Sequence, residues 1–378
     1  MPFAVDANAE EFLGEALFIE PQKLWEKRGG WGGAVTAHDG TIIVFRSPGG
    51  GEIRRSHDGG QTWGASQAID PSGDTRKANI ANALVDETTG DLLYICPQEN
   101  WLYRSVDSGA TWAKEPMTVK PDRLGLRPGH EGAGAMQAGI TLGFGPHRGR
   151  LISPARIMGP QNSNDVHWRP YHYSTAIYSD DHGKSWQTSD PFPVFGTGEA
   201  AIAQLTTGVL LLNSREHMSR GNRFFARSDD GGHLWVAPYR SADLPDGPRG
   251  SSYGLMGGMI RLPIAGRDIL LFSNADTDLG AMPTQPGASI SGGREKLTIW
   301  ASFDGGQTWP TKRLLYDGPS AYSNLGVGRH GTPSAGRIVV VFEGGPEGSH
   351  AAVQVATFNL SWLLNGTAIP VKEEVLPE

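Results

Sequence analysis

The stretch SHDGGQTW at residues 56–63 decides the fold class, because variants of it recur along the chain. Each copy has a serine, an aspartate two positions later, a glycine after two more, and a tryptophan three residues beyond the glycine. The five copies, called boxes below, run from serine to tryptophan at residues 56–63, 105–112, 179–186, 228–235 and 302–309. Successive box aspartates lie 49, 74, 49 and 74 residues apart. This spacing indicates copies of one structural unit.

The residues of a box are those typical of a hairpin turn. In the first copy, Asp58 is expected to accept a hydrogen bond from its own backbone two residues on, and Gly60 to supply a positive φ angle. Trp63 is expected to pack against the neighbouring sheet. We therefore interpret the boxes as structural and assign them no catalytic role.

Between the boxes, short runs of β-forming residues follow turns that contain glycine. These runs lie at residues 41–45, 91–95, 209–212, 268–272 and 337–342. The pattern predicts strand pairs around a ring, with about 60 residues per unit, the size of a four-stranded propeller blade. We predict an all-β, six-bladed β-propeller that forms a single domain over residues 1–378. The last blade is expected to close the ring with the N-terminal segment at residues 18–20.

Composition restricts the possible partners. The 378 residues include 52 glycines and 26 prolines, and the net charge is −7 with no block of lysine or arginine. These values argue against nucleic acid or an anionic membrane as the main partner. Cys96 is the only cysteine, which excludes an internal disulfide, and it is expected to be a small buried hydrophobe. The N-terminus lacks the regions of a secretory signal, so we expect a cytoplasmic protein unless a signal has been removed.

The five boxes resemble the Asp-boxes of the sialidase superfamily. This resemblance implies three arginines that bind a substrate carboxylate, a tyrosine nucleophile, a glutamate that activates it, and an aspartate acid/base. The substrate chemistry explains the tyrosine, because a carboxylate nucleophile would be repelled by the substrate carboxylate beside the anomeric carbon. A free tyrosine has a pKa near 10, so a base must lie against it.

The second half of the chain resembles the family segments that carry these residues. By this resemblance, Glu199 in TGEAAI (197–202) is the base, and Arg215 and Arg294 are the second and third carboxylate-binding arginines. Tyr322 in GPSAYSNL (318–325) is the nucleophile. Glu343 in VFE (341–343) corresponds to the glutamate that holds the first arginine in place.

The first blade departs from the family pattern. The strand expected to carry the first arginine reads KRGGWGGAV at residues 27–35, where Arg28 can serve only if the glycines let the backbone shift. The loop that should hold the acid/base aspartate is shortened to SPGGGE at residues 47–52 and has no aspartate. Candidate substitutes for the general acid are Glu52, Asp70, Asp74, His130 and Glu131.

The sequence thus favours a retaining exo-glycosidase that releases a terminal α-linked sialic acid or a related ulosonic acid. We expect no metal or other cofactor, because the histidines lack the spacing of metal ligands. Two alternatives remain open. One is a propeller that acts on another acidic sugar by hydrolysis or elimination; the other is a non-catalytic propeller that binds an acidic glycan.

Overall fold

The computed structural model describes residues 7–26, 32–46, 51–70, 82–128, 137–161, 163, 165–218, 221–246, 254–276 and 294–369. Helix is rare in these ranges. It comprises the 3₁₀-helices Ala9–Glu11, Pro97–Glu99 and Val166–Tyr171 and one α-helix, α1, at Leu360–Leu364. None of the helices within these ranges has the length and apolar character needed to cross a membrane.

Strands form most of the described chain. The first twelve are β1 (Phe18–Glu26), β2 (Gly32–Thr36), β3 (Ile42–Arg46), β4 (Glu52–Ser56), β5 (Gln67–Ala68), β6 (Asn82–Val85), β7 (Leu92–Cys96), β8 (Trp101–Ser105), β9 (Ala113–Pro116), β10 (Thr118–Lys120), β11 (Ile140–Thr141) and β12 (Leu151–Ile157). The others are β13 (Tyr173–Ser179), β14 (Ser185–Thr188), β15 (Thr197–Gln204), β16 (Leu210–Glu216), β17 (Phe224–Ser228), β18 (Val236–Arg240), β19 (Gly258–Arg261), β20 (Leu270–Ala275), β21 (Glu295–Ser302), β22 (Thr311–Val327), β23 (Ile338–Gly344) and β24 (Ala352–Phe358).

Over the described ranges these strands form five hydrogen-bonded sheets. Three are four-stranded meanders, β2 to β5, β6 to β9 and β15 to β18. A fourth has the order β10-β14-β13-β12-β11, with β10 parallel to β14. The fifth has seven strands in the order β1-β24-β23-β22-β21-β20-β19.

The innermost strands form a closed ring, which makes the arrangement a β-propeller. Around the ring, β22 contacts β2, β2 contacts β6, and β6 contacts β11, which pairs with β12 in the same sheet. Strand β12 contacts β15, β15 contacts β19, and β19 returns to β22. Side-chain amides join distant members of the ring. Gln137 donates to the carbonyl oxygen of Leu325 at 2.6 Å and accepts from its backbone nitrogen at 3.2 Å.

The seven-stranded sheet corrects the prediction of six separate blades. Its central strand, β22, is 17 residues long. Residues 311–319 of this strand pair with β21, and residues 320–327 pair with β23. Since one continuous strand serves both pairings, two units that the repeat predicts as separate are joined in one sheet.

Hydrophobic side chains fill the spaces between neighbouring sheets. One cluster includes Leu211, Phe225 and Phe272 and lies between the β15–β18 sheet and β20. Another lies within the seven-stranded sheet, where Leu271 of β20 shares a cluster with Val340 of β23. Because the sheets stack face to face, strands such as β7, β12, β16 and β23 are buried at every residue.

Several sequence predictions about strands are confirmed. The five predicted runs correspond to β3, β7, β16, β20 and β23, with boundaries shifted by one or a few residues. The N-terminal segment closes the ring as expected, since β1 pairs antiparallel with β24 from Phe18 opposite Phe358. Cys96 is buried at the end of β7.

The boxes are hairpin turns with a different hydrogen-bond pattern from the one predicted. Asp58 accepts from the backbone nitrogens of Gln61 and Thr62, each at 3.0 Å, three and four residues on instead of two. Ser56 accepts from the Gly60 nitrogen at 2.8 Å and donates to Asp58 at 2.7 Å. The four other box serines accept the same backbone bond. Partial burial opposes ionisation, but the Thr62 hydroxyl and these backbone donors lower the pKa of Asp58 to about 2.

The box tryptophans differ in depth. Trp186, Trp235 and Trp309 are buried against neighbouring sheets, as predicted. Trp63 and Trp112 are only half-buried, so the prediction is wrong in degree for the first two boxes.

We predict that Gly60→Ala lowers the free energy of unfolding by roughly 2 kcal/mol. Gly60 has a φ of +88°, and a Cβ there would lie 2.4 Å from the Thr357 hydroxyl oxygen. The matched control is Gly64→Ala, where the nearest atom to a Cβ is a carbonyl oxygen 3.5 Å away. Urea denaturation of both variants checks the prediction, and equal stability of the two would contradict it.

Candidate active site

Glu199 lies on β15 with its carboxylate between two guanidinium groups. Arg215 donates from Nη1 to Oε2 at 2.7 Å, and Arg156 donates from Nη1 to Oε1 at 3.2 Å. All three side chains are at most 3% exposed. Burial opposes the charge, but the nearby Arg215 and Arg156 cations hold the pKa of Glu199 well below its usual range. The carboxylate is therefore ionised at neutral pH.

Arg215 connects this carboxylate to Tyr322. Its Nη1 atom also donates to the Tyr322 hydroxyl oxygen at 3.3 Å. One guanidinium nitrogen thus contacts a buried carboxylate and a phenol that are far apart in the sequence. The Nε atom of Arg215 is buried and has no hydrogen-bond partner among the described residues.

Irregular backbone places Glu199 and Tyr322. The register of β15 against β16 shifts between Thr197 and Ala200, and that of β22 against β23 shifts between Ser320 and Ser323. Such bulges change the direction in which a side chain points. Tyr322 lies inside β22, close to the point where the strand changes partners from β21 to β23.

The Tyr322 ring lies near two arginines. The Cζ atom of Arg294 is 5.2 Å from the ring centroid, and that of Arg215 is 5.8 Å away. Cations at this distance are attracted to the electron-rich face of an aromatic ring. The ring is 8% exposed, so its surroundings are largely protein.

Glu343 has a partner that the sequence did not predict. Its Oε2 atom lies 2.5 Å from Nδ1 of His350, and Nε2 of His350 lies 3.1 Å from Nη1 of Arg294. The His350 ring also packs edge-on to Tyr322, with 5.6 Å between ring centroids. Glu343 therefore joins the same cluster through His350.

The structure thus brings together Glu199, Arg215, Arg294, Tyr322 and Glu343. Arg28, the predicted first arginine, lies outside the described residues, as do Asp74, His130 and Glu131. The two remaining candidate acids are described. Glu52 forms an ion pair with Arg46, and Asp70 accepts a hydrogen bond from the Tyr103 hydroxyl.

Two residues of the cluster escaped the sequence reasoning. Arg156 is the last but one residue of the fully buried strand β12, and a charged residue in a mostly apolar run is a signal that could have identified it. His350 lies in the turn between β23 and β24, where no pattern marks it. Over the described ranges, no group of three or more metal-ligating side chains is placed to hold a metal ion.

Two buried histidines lie beside the Glu199 cluster. The rings of His172 and His217 meet edge to face at 5.7 Å. His217 fits because residue 198 is glycine; a Cβ there would lie 2.1 Å from His217 Nε2. Burial, aided by Arg156 and Arg169, lowers the pKa of His172 to about 4. Burial and the Arg215 charge hold the pKa of His217 well below its ordinary 6.5.

Comparison with known proteins gives a family. Residues 52–334 match the model of the BNR repeat-like domain. A sialidase of Micromonospora viridifaciens is 30% identical over 360 residues, which cover 88% of this chain and 50% of the relative. A sialidase of Bacteroides fragilis is 32% identical over 175 residues, 46% of this chain and 29% of the relative. The chain therefore spans half or less of the length of these relatives.

Solved structures show the same fold. The Hadza microbial sialidase Hz136 superposes with a TM-score of 0.64 at 24% identity, over 88% of this chain and 66% of the other. Trypanosoma rangeli sialidase in complex with 2,3-difluorosialic acid gives 0.60 at 15% identity, over 93% and 60%. At these identities the likeness concerns the fold alone.

We predict that acid destabilises the protein through His172 and His217. Both have lowered pKa values when folded, so the unfolded chain binds more protons below about pH 6.5, and stability falls as the pH drops. Between about pH 7 and pH 5 the free energy of unfolding should fall by roughly 1 kcal/mol or more from this source. Urea denaturation at the two pH values measures the loss.

A double variant, His172→Gln with His217→Gln, should show a smaller loss between the same pH values. The control is His167→Gln, which changes an exposed histidine and should keep the parent's pH dependence. An unchanged pH dependence in the double variant would show that these histidines do not cause the acid destabilisation.

Proposed function

The chain belongs to the sialidase superfamily of BNR-repeat proteins, and on that premise we propose that it is a retaining exo-glycosidase. Its substrate is a glycan that ends in an α-linked sialic acid or a related ulosonic acid. The relatives in the comparison are named sialidases, which supports this class of substrate.

One observation carries the proposal: Arg215 Nη1 contacts both the Glu199 carboxylate and the Tyr322 hydroxyl. A tyrosine that lies near a carboxylate and a cation has the two groups that activate it as a nucleophile. The carboxylate can take the phenol proton, and the cation stabilises the phenolate that remains. Arg215 contacts both the Glu199 oxygen and the Tyr322 oxygen. The negative charge therefore stays next to the guanidinium when the proton moves from Tyr322 to Glu199.

Arg215 and Arg294 bind the substrate carboxylate in this proposal. The buried Nε of Arg215, which has no partner among the described residues, is a donor that a carboxylate would satisfy. Arg294 also lies beside the Tyr322 ring, with its Cζ atom 5.2 Å from the ring centroid. Guanidinium groups suit carboxylates because they can donate two parallel hydrogen bonds. Arg28 is proposed as the third arginine, on the family resemblance of its segment.

The first chemical step forms a covalent intermediate. The Tyr322 oxygen attacks the anomeric carbon, and its proton moves to Glu199. The glycosidic carbon–oxygen bond breaks, and the leaving oxygen takes a proton from a general acid. In the second step water attacks the anomeric carbon and gives its proton to the deprotonated general acid. The bond from the sugar to Tyr322 breaks, and Glu199 returns its proton to the phenolate oxygen. Two displacements at one carbon retain its configuration.

The proposal extends to the blade count. The two halves of the seven-stranded sheet contribute side chains to a shared hydrophobic cluster and pair through different parts of β22. We propose that each half acts as one blade, so that six units surround the site.

We predict that Tyr322→Phe lowers kcat on an aryl α-sialoside by a factor of about 10³ or more. The ring keeps its face contacts with both arginines and loses only the hydrogen bond from Arg215 to the hydroxyl oxygen, so binding of a carboxylate-bearing inhibitor should change only slightly. Release of the aryl group, followed by absorbance, measures kcat; calorimetry measures inhibitor affinity.

The matched control is Tyr316→Phe in the same strand. Tyr316 packs against Phe342 with ring centroids 5.4 Å apart and has no proposed catalytic role. It should keep parental kcat. Full activity of Tyr322→Phe would overturn the nucleophile assignment, and a parent that binds the inhibitor but releases no sugar would favour a binding protein.

A further inference from the structure

His350 occupies a position at the edge of the proposed carboxylate site. It lies in the turn between β23 and β24, and its side chain is 26% exposed. Three groups face it, each from a different part of the fold: Glu343 on β23, Tyr322 on β22, and Arg294 just before β21. The ring therefore contacts both a proposed carboxylate-binding arginine and the proposed nucleophile.

The contacts of the ring define its hydrogen-bonding state. A guanidinium group can only donate hydrogen bonds, so Nε2 of His350 must accept from Arg294 Nη1. The proton of the neutral ring then lies on Nδ1, which donates to Glu343 Oε2. Glu343 is 3% exposed, so the acceptor that orients the ring is itself firmly held.

We propose that His350 is a positioning residue that acts through Arg294 and makes binding of the substrate carboxylate depend on the protonation of its own ring. The inference rests on the proposed function, because it takes Arg294 as a carboxylate-binding residue. It adds to that function a pH response.

The physical basis is the loss of an acceptor. Imidazole side chains gain a proton between about pH 8 and pH 5. A protonated His350 has N–H groups on both nitrogens, so it keeps the bond to Glu343 but cannot accept from Arg294. It also places a second positive charge beside the guanidinium. Arg294 then loses its hydrogen bond to the ring, and the affinity for a carboxylate falls.

The other acidic group of the site does not produce the same response. Two arginines hold the pKa of Glu199 well below its usual range, so Glu199 does not change charge over this pH interval. Replacing His350 with a side chain that does not titrate therefore tests whether a change in binding between about pH 7.5 and pH 5.5 arises at this ring.

The test measures the affinity of a 2,3-unsaturated sialic acid analogue by calorimetry at about pH 7.5 and pH 5.5. The parent should bind roughly tenfold more weakly at the lower pH, the effect of one lost hydrogen bond to a charged group. His350→Ala should bind roughly tenfold more weakly than the parent at the higher pH and show little pH dependence.

The variant His350→Gln distinguishes a positioning role of this side chain from a purely structural one. Its amide oxygen can accept from Arg294 and its amide nitrogen can donate to Glu343, but the group does not titrate. It should restore affinity to within about threefold of the parent at the higher pH and remove the pH response. The control His330→Gln alters another histidine paired with a glutamate, Glu11, and should behave as the parent does.

The outcomes distinguish the two proposals. If the parent does not bind the analogue at either pH, the proposed function fails and this inference with it. If the parent binds but His350→Gln keeps the parental pH response, or His350→Ala binds as tightly as the parent, only the inference is overturned.

Discussion

The contact of one guanidinium nitrogen with two oxygens is the interaction on which the site depends. Arg215 Nη1 joins the carboxylate of Glu199 to the hydroxyl of Tyr322, residues 123 positions apart in the chain. Taking an arginine and a glutamate out of water is costly, and the cost is offset only when each is paired with good geometry. The second cation, Arg156, completes this pairing on the other carboxylate oxygen.

The fold supplies the geometry through a closed ring with local irregularities. Regular pairing between innermost strands fixes the ring, while the bulges at Glu199 and Tyr322 redirect side chains that regular strands would place elsewhere. The boxes lie in the turns between outer strands and stabilise the ring from outside the site. A rigid frame with irregular backbone at the reacting groups is a common way to place a site.

The repeated boxes made the fold predictable. The site residues were predictable only in the segments that resemble those of the sialidase superfamily. Box spacing and glycine turns indicate stacked sheets because they encode local hairpins, and β3, β7, β16, β20 and β23 appear where expected. The joining of two units through β22 was missed, because continuity of a strand across a bend leaves no mark in a local pattern. His350 was missed for a similar reason: its partners, Arg294 and Glu343, become neighbours only when the sheet forms.

Trapping the covalent intermediate tests most directly whether Tyr322 is the nucleophile. The parent is incubated with a fluorinated sialic acid that forms a slowly hydrolysed glycosyl–enzyme bond, and the digested protein is analysed by mass spectrometry. We expect one added sugar on the peptide that contains Tyr322. An adduct on another residue, or continued turnover of an aryl sialoside with no adduct, would contradict it.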